Sequence, residues 1–183
     1  LGAKTLENQK IVLIYHGQFE QKHLELIAMD ILREYDIHVD IRECHSDISR
    51  FFDPARHQYD ANQLLKYIDS KNDPSALKTI AIFRVDLFIP ILTYIFGQAA
   101  YKGKTGIVSI YRLKNEQYGL KPDENLLIDR LRKVVIHELG HTFGLIHCQN
   151  PDCVMRSSTY VEDIDQKKLH FCKKCRELLS SGN

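Results

Sequence analysis

The first clear pattern in the chain is an apolar run, Lys10 to His16 (KIVLIYH), continuous enough to predict a buried strand. Leu24, Ile27, Ile31 and Tyr35 then recur every three or four residues and predict a helix of about four turns. Ile37 to Ile41 alternates apolar and polar, which predicts a second strand. Residues 44–58 are polar and mixed, include Pro54, and read as a loop. Leu64, Leu65 and Ile68 mark a short helix that ends near Asn72-Asp73-Pro74. Thr79 to Val85 predicts a third strand. Leu92 to Phe96 predicts a short fourth one, preceded by Pro90 and so suited to a sheet edge. Gly97 and Gly103 bracket a turn-rich link, and Gly106 to Leu113 (GIVSIYRL) predicts a fifth strand. Pro122-Asp123-Glu124 opens the next helix, with proline early and acids near the positive dipole end. From about Val161 one more helix is expected, carrying Cys172 and Cys175 at i, i+3.

This order predicts an α/β (α+β) domain with a five-stranded mixed twisted sheet, a backing helix and a helix that runs into residues 137–147. At 183 residues the chain fits a single domain that can bury a proper core. Hydrophobic residues make up 44% and charged residues 27%, as in ordinary globular proteins, and a formal net charge of +1 gives no global field toward nucleic acid or membranes. Leu1-Gly2-Ala3-Lys4 does not start a secretory signal pattern, and no pro-segment is expected. The most apolar stretch, Leu87 to Phe96, is half the length of a membrane span and contains Pro90.

His137-Glu138-Leu139-Gly140-His141-Thr142-Phe143-Gly144-Leu145-Ile146-His147 carries the chemistry. Residues four apart share a helix face, so His137 and His141 present both imidazoles to one point. Glu138 follows the first of them, placed to take a proton from a water that zinc has acidified. A continued helix would carry His147 away. Gly144 tolerates positive φ, so the chain turns there and brings His147 back. Three protein ligands leave one position for water or substrate, as a catalytic zinc needs. The competing reading is a helix with ordinary histidines. The further glycine and histidine at these offsets argue against it.

Four of the five cysteines lie beyond this segment. Cys148 follows His147 directly, Cys153 comes after four intervening residues, and Cys172 and Cys175 form a CxxC. Two such pairs suit a tetrahedral zinc on four thiolates, a closed and therefore structural site. Two disulfides or four reduced, metal-free thiols are the competing readings. His170 is a conceivable substitute ligand. A second zinc there would hold the chain just where His147 must return. With Cys44 as a separate, buried thiol, the cysteine usage points to a reducing cytoplasm.

Together these residues resemble the archaemetzincins, a branch of the metzincin zinc peptidases. The resemblance rests on His137, Glu138, His141, Gly144, His147, Cys148, Cys153, Met155, Cys172 and Cys175, within residues 137–175, about a fifth of the chain. It implies a metzincin-like fold and two zinc ions per chain, one catalytic on His137, His141 and His147, one structural on Cys148, Cys153, Cys172 and Cys175. It also implies peptidase or aminopeptidase activity with Glu138 as the base, on peptide or protein substrates. Met155 is expected in a tight turn beneath the catalytic zinc, with a plain core methionine as the alternative. Some metzincin branches place a tyrosine two residues after that methionine. Here the position is Ser157, and Tyr160 is the candidate substitute.

Gly144 is expected to divide an upper part, residues 1–144, from a lower, zinc-stapled part, residues 145–183, with the substrate cleft between them. The edge strand near 92–96 either pairs with an extended peptide or only completes the sheet. Three functions compete. The first is a zinc peptidase. The second is a zinc-stabilised peptide-binding module without chemistry, against which an intact Glu138 argues. The third is nucleic-acid binding through Lys167, Lys168, Lys173 and Lys174, whose charges are better explained as offsetting the thiolates. The expectation is a monomeric peptidase without nucleic-acid or membrane partners.

Overall fold

The computed structural model describes residues 9–181, so the Leu1–Lys4 segment lies outside the described residues. β1 (Lys10–His16), α1 (Gln21–Tyr35) and β2 (His38–Cys44) form the expected opening βαβ unit. A 3₁₀ turn and two short strands follow, β3 (Phe52–Asp53) and β4 (Gln58–Asp60), then α2 (Ala61–Ser70). Next come β5 (Ala76–Phe83), β6 (Leu87–Ile89), β7 (Leu92–Ile95), β8 (Gly97–Ala99) and β9 (Thr105–Ser109). Three helices close the chain: α3 (Glu124–Thr142), α4 (Val161–Gln166) and α5 (Lys173–Ser180).

The main sheet has five strands in the order β2-β1-β5-β9-β8, and only β8 runs antiparallel to its neighbour. Alternation along the strands divides the core. Ile80 and Ile82 of β5 face α1 and α3, whereas Ala81 and Phe83 face α2. Parallel strands covered on both faces read as continuous apolar runs, which is why β1 and β5 are plain in the sequence. Val154, Met155, Ile164 and Phe171 join the α1–α3 side of the core, so the segment after Gly144 shares that core. Among the described residues no helix is long and apolar enough to cross a membrane.

Several expectations need correction. The strand at 92–96 exists as β7, but it pairs with β6 in a second sheet ordered β3-β4-β6-β7. The fifth strand of the main sheet is β8, inside the segment read as a turn-rich link. Gly97 signals close approach there: a Cβ on it would lie 2.7 Å from Glu138 Cγ. The strand expected to reach Leu113 stops at Ser109, whose hydroxyl captures the Tyr111 N–H at 3.1 Å and turns the chain into a 3₁₀ segment. Residues 44–58 hold a small hairpin, with Asp53 Oδ1 accepting from Ala55 N at 2.8 Å. The single C-terminal helix is two helices. Lys168 N and His170 O bond to Asp152 O and Val154 N, each at 3.0 Å, and this pairing excludes helix between α4 and α5.

Candidate metal centre and cleft

α3 starts where Asp123 Oδ1 accepts the Leu126 N–H at 2.9 Å, as the acidic opening predicts. It packs between α1 and the β8–β9 edge, burying the turn that carries His137 and Glu138. Its end is fixed from outside, because Lys78 Nζ donates to the Thr142 carbonyl at 2.7 Å. Gly144 then takes φ +91°, in the region that favours glycine, and the chain doubles back to His147.

The three imidazoles converge, with ring centroids 4.7 to 5.3 Å apart. Nδ1 of His137 sits 2.8 Å from the Val154 carbonyl, and Nδ1 of His141 sits 2.8 Å from the Leu145 carbonyl. A carbonyl only accepts, so each Nδ1 carries the proton and each Nε2 presents a lone pair. Those two Nε2 atoms are 3.1 Å apart, close to the ~3.3 Å between nitrogens of a tetrahedral zinc with Zn–N bonds of ~2.0 Å. Burial lowers the pKa of all three histidines, so they stay neutral, as ligands must. This donor set fits zinc.

Glu138 is buried beside them, and burial raises its carboxyl to about 8, opposed by the Lys167 ammonium. A dication on the histidines would pull it back down. Met155 is fully buried, and a Cβ on Gly140 would meet its sulfur at 2.5 Å. The methionine therefore packs under the helical turn between the two α3 histidines. The Met155 carbonyl accepts Cys148 N at 2.9 Å, so the turn below and the strand return are tied together.

The four cysteine sulfurs lie within 4.8 Å of one another, and Cys148 and Cys172 are 3.7 Å apart. A disulfide needs ~2.05 Å, whereas thiolates on one zinc sit ~3.8 Å apart. Backbone N–H groups of Asn150 and Cys172 point at the sulfurs of Cys148 and Cys153 at 3.5 and 3.3 Å. Cys172 caps α5 rather than lying within it. His170 is not part of this cluster, because it bonds Glu34 at 2.6 Å. Cys44 is half-buried at the end of β2 instead of fully buried.

A cavity of about 550 Å³ opens over the histidines. Its walls are the β7–β8 segment, the Ser157–Tyr160 loop, Glu138 and Lys167. Tyr160 is 64% exposed at its mouth. β7 and β8 are each the last strand of their sheet, so an edge runs along this cavity. Sequence reasoning missed Lys167. In the sequence it pairs with Lys168 in a small basic patch that offsets the thiolates, yet it is 3% exposed and sits against His137, and burial lowers its ammonium to about 8. The only available signal was its place between Ile164 and Leu169 in an otherwise amphipathic stretch. His23, unassigned in the sequence, meets Glu20 and Glu124 near the surface, where Lys22 already holds Glu20 at 2.7 Å.

The chain is similar to known proteins. The model of peptidase family M54 matches residues 9–181. An archaemetzincin of Pyrococcus horikoshii is 43% identical over 132 residues, 72% of this chain and 70% of that protein. The crystal structure of a zinc-dependent peptidase from Methanocorpusculum labreanum superposes with a TM-score of 0.83 at 30% identity, covering 92% of this chain and 99% of that one. That of an archaemetzincin from Methanopyrus kandleri does so with 0.83 at 28% identity, covering 97% of each. A family match across all the described residues, with relatives this similar, shows that the chain belongs to peptidase family M54 and is a zinc metallopeptidase.

Proposed function

We propose that the chain hydrolyses peptide bonds at the histidine cluster, with His137, His141 and His147 holding the catalytic zinc and Glu138 as the proton carrier. The observation that carries this is the pair of Nε2 lone pairs, each fixed by a carbonyl on Nδ1, beside a buried carboxylate at a sheet edge. A zinc ion held there supplies Lewis acidity to an attacking water and to the peptide carbonyl. Glu138 accepts a proton from that water and passes it to the departing amine. Met155 supports the helical turn from below, and Gly144 returns His147 to its place.

An extended peptide has a seat along Leu92–Ala99, where edge strands leave backbone groups for β-addition next to Glu138. Whether the peptide is trimmed from its amino end, as in an aminopeptidase, depends on how the cavity ends along that strand. The cleft then separates an upper part, 1–144, from a lower part, 145–183. The second zinc sits on Cys148, Cys153, Cys172 and Cys175 and has a structural role, since four thiolates leave no open position. Reduced thiols suit a reducing compartment such as cytoplasm, and the cleft is complete within one chain, so a monomer suffices.

The test is Glu138→Ala. Zinc per chain should stay at the wild-type value of two while cleavage of a peptide library falls about a hundredfold or more. Equal cleavage by the variant removes Glu138 from the mechanism. Peptide binding without turnover by the wild type would replace the peptidase with a binding module.

A further inference from the structure

We propose that Lys167 makes the cleft an anion-binding site, its ammonium receiving an anionic carboxylate-type oxygen beside the histidines. The inference rests on the peptidase reading for its biological meaning, but its physical basis is separate.

Lys167 is 3% exposed and lines the cavity with His137 and Glu138. Its Nζ donates to the Arg156 carbonyl at 2.9 Å and approaches His137 Nδ1 at 3.5 Å. That ring nitrogen already carries the proton that faces Val154, so it cannot accept a second one. An ammonium has three N–H groups, and among the described residues one acceptor serves it. Burying a cation with two idle donors is costly, and placing it next to a site for a dication is costlier still.

The charged groups that face Lys167 are Glu138, Cys153 and Asp163 on the negative side and Lys133 on the positive side. Asp129 holds Lys133 at 2.7 Å, and Asp163 Oδ2 accepts the Thr159 and Tyr160 N–H groups at 2.8 and 2.9 Å. Neither carboxylate hydrogen-bonds the Lys167 ammonium, whose remaining donors lie in the cavity wall. An anion is the ligand that a buried cation with idle donors selects. Two sources share the chemistry. One is a substrate carboxylate, from a side chain or a chain terminus. The other is the peptide oxygen itself, which takes the π electrons of the carbonyl when water adds to its carbon.

Acetate is the probe. Zinc-loaded wild type, Lys167→Gln and Lys167→Arg are checked for zinc content and titrated by calorimetry. Glutamine keeps a donor for the Arg156 carbonyl without the charge, so a purely structural lysine predicts equal affinity. We expect acetate to bind about tenfold more weakly to Lys167→Gln and near wild-type strength to Lys167→Arg. In wild type labelled with ¹⁵N at lysine Nζ, the buried ammonium resonance should move with acetate at the same affinity. Unchanged affinity in Lys167→Gln, or a resonance that does not move, overturns the proposal. Should Lys167→Gln lose its fold or zinc, the wild-type resonance decides alone.

Peptides separate the two sources. A raised KM confined to peptides with a carboxylate near the cleaved bond identifies the substrate carboxylate. A fall in kcat on neutral, blocked peptides at unchanged KM identifies the oxygen of the scissile carbonyl. Absence of any turnover would sink the peptidase reading and leave the acetate result standing.

Discussion

Gly97→Ala is the sharpest perturbation the geometry offers. The added methyl would lie 2.7 Å from Glu138 Cγ, 2.9 Å from its Oε1 and 2.9 Å from the Ile107 carbonyl oxygen. Contacts that short must be relieved. The Ile107 oxygen belongs to the β9 ladder and cannot yield cheaply, since β8 and β9 are hydrogen-bonded neighbours. Relief therefore comes from moving β8 outward, moving Glu138, or both. Overpacking of this kind costs about 1–3 kcal/mol, which for a chain of this size lowers Tm by about 2–12 °C. Glu138 displaced by about 1 Å should lower kcat about a hundredfold. His137 and His141 are held by the Val154 and Leu145 carbonyls, which lie outside β8, so zinc content should stay at the wild-type level. Gly106→Ala serves as control: there the short contact, 2.8 Å, is to Ile80 Cδ1, the far end of a side chain that can rotate. The assay pairs zinc analysis with steady-state cleavage and thermal melting for both variants. If Gly97→Ala holds zinc, melts with wild type and cleaves within about threefold of it, Glu138 is not the poised base at this strand.

Further outcomes follow from the lower part of the chain. Cys153→Ser should remove one zinc per chain and lower Tm by about 10 °C while the histidine zinc remains, as elemental analysis before and after gentle chelation would show. Wild type should also resist disulfide-specific reductants, because the sulfurs are not bonded to each other. Glu34 gives a pH signature. Burial pushes its pKa up, but bonds from His170 and Arg176 at 2.6 and 2.7 Å pull it below the usual value. A carboxyl depressed in the fold stabilises above its unfolded pKa and loses that stability as pH falls through the folded value. Wild type should therefore lose stability more steeply below about pH 4.5 than Glu34→Gln, in denaturant melts from pH 7 to 3.

The parts of the fold and site that the sequence made legible share one property: they depend on spacing along a single segment. Buried parallel strands announce themselves as apolar runs. His137 and His141 lie on one helix face whatever surrounds them, and Gly144 at φ +91° is the only easy way to bring His147 back. The CxxC at Cys172 and Cys175 is equally local. What stayed hidden depends on what comes near from elsewhere. Gly97 looked like a turn glycine, because a residue that admits the flank of α3 and one that bends the chain are the same letter. The helix expected from Val161 was sound in its periodicity, yet residues 168 and 170 found backbone partners at 152 and 154, and those bonds outweighed the local preference.

Lys167 shows the same limit on the functional side. In the sequence it is one of a lysine pair. In the fold Lys168 faces Asp152 at the surface, at 2.8 Å, while Lys167 turns inward to the histidines. One residue of register separates a solubilising charge from a charge in the histidine-lined pocket, and the register is set at Gln166, where α4 ends. Burial lowers the Lys167 ammonium to about 8, opposed by the nearby Glu138, Cys153 and Asp163. Under the proposed assignment, the cleft that holds the zinc also presents this cation, and the two meet on a substrate whose carbonyl oxygen or carboxylate reaches Lys167.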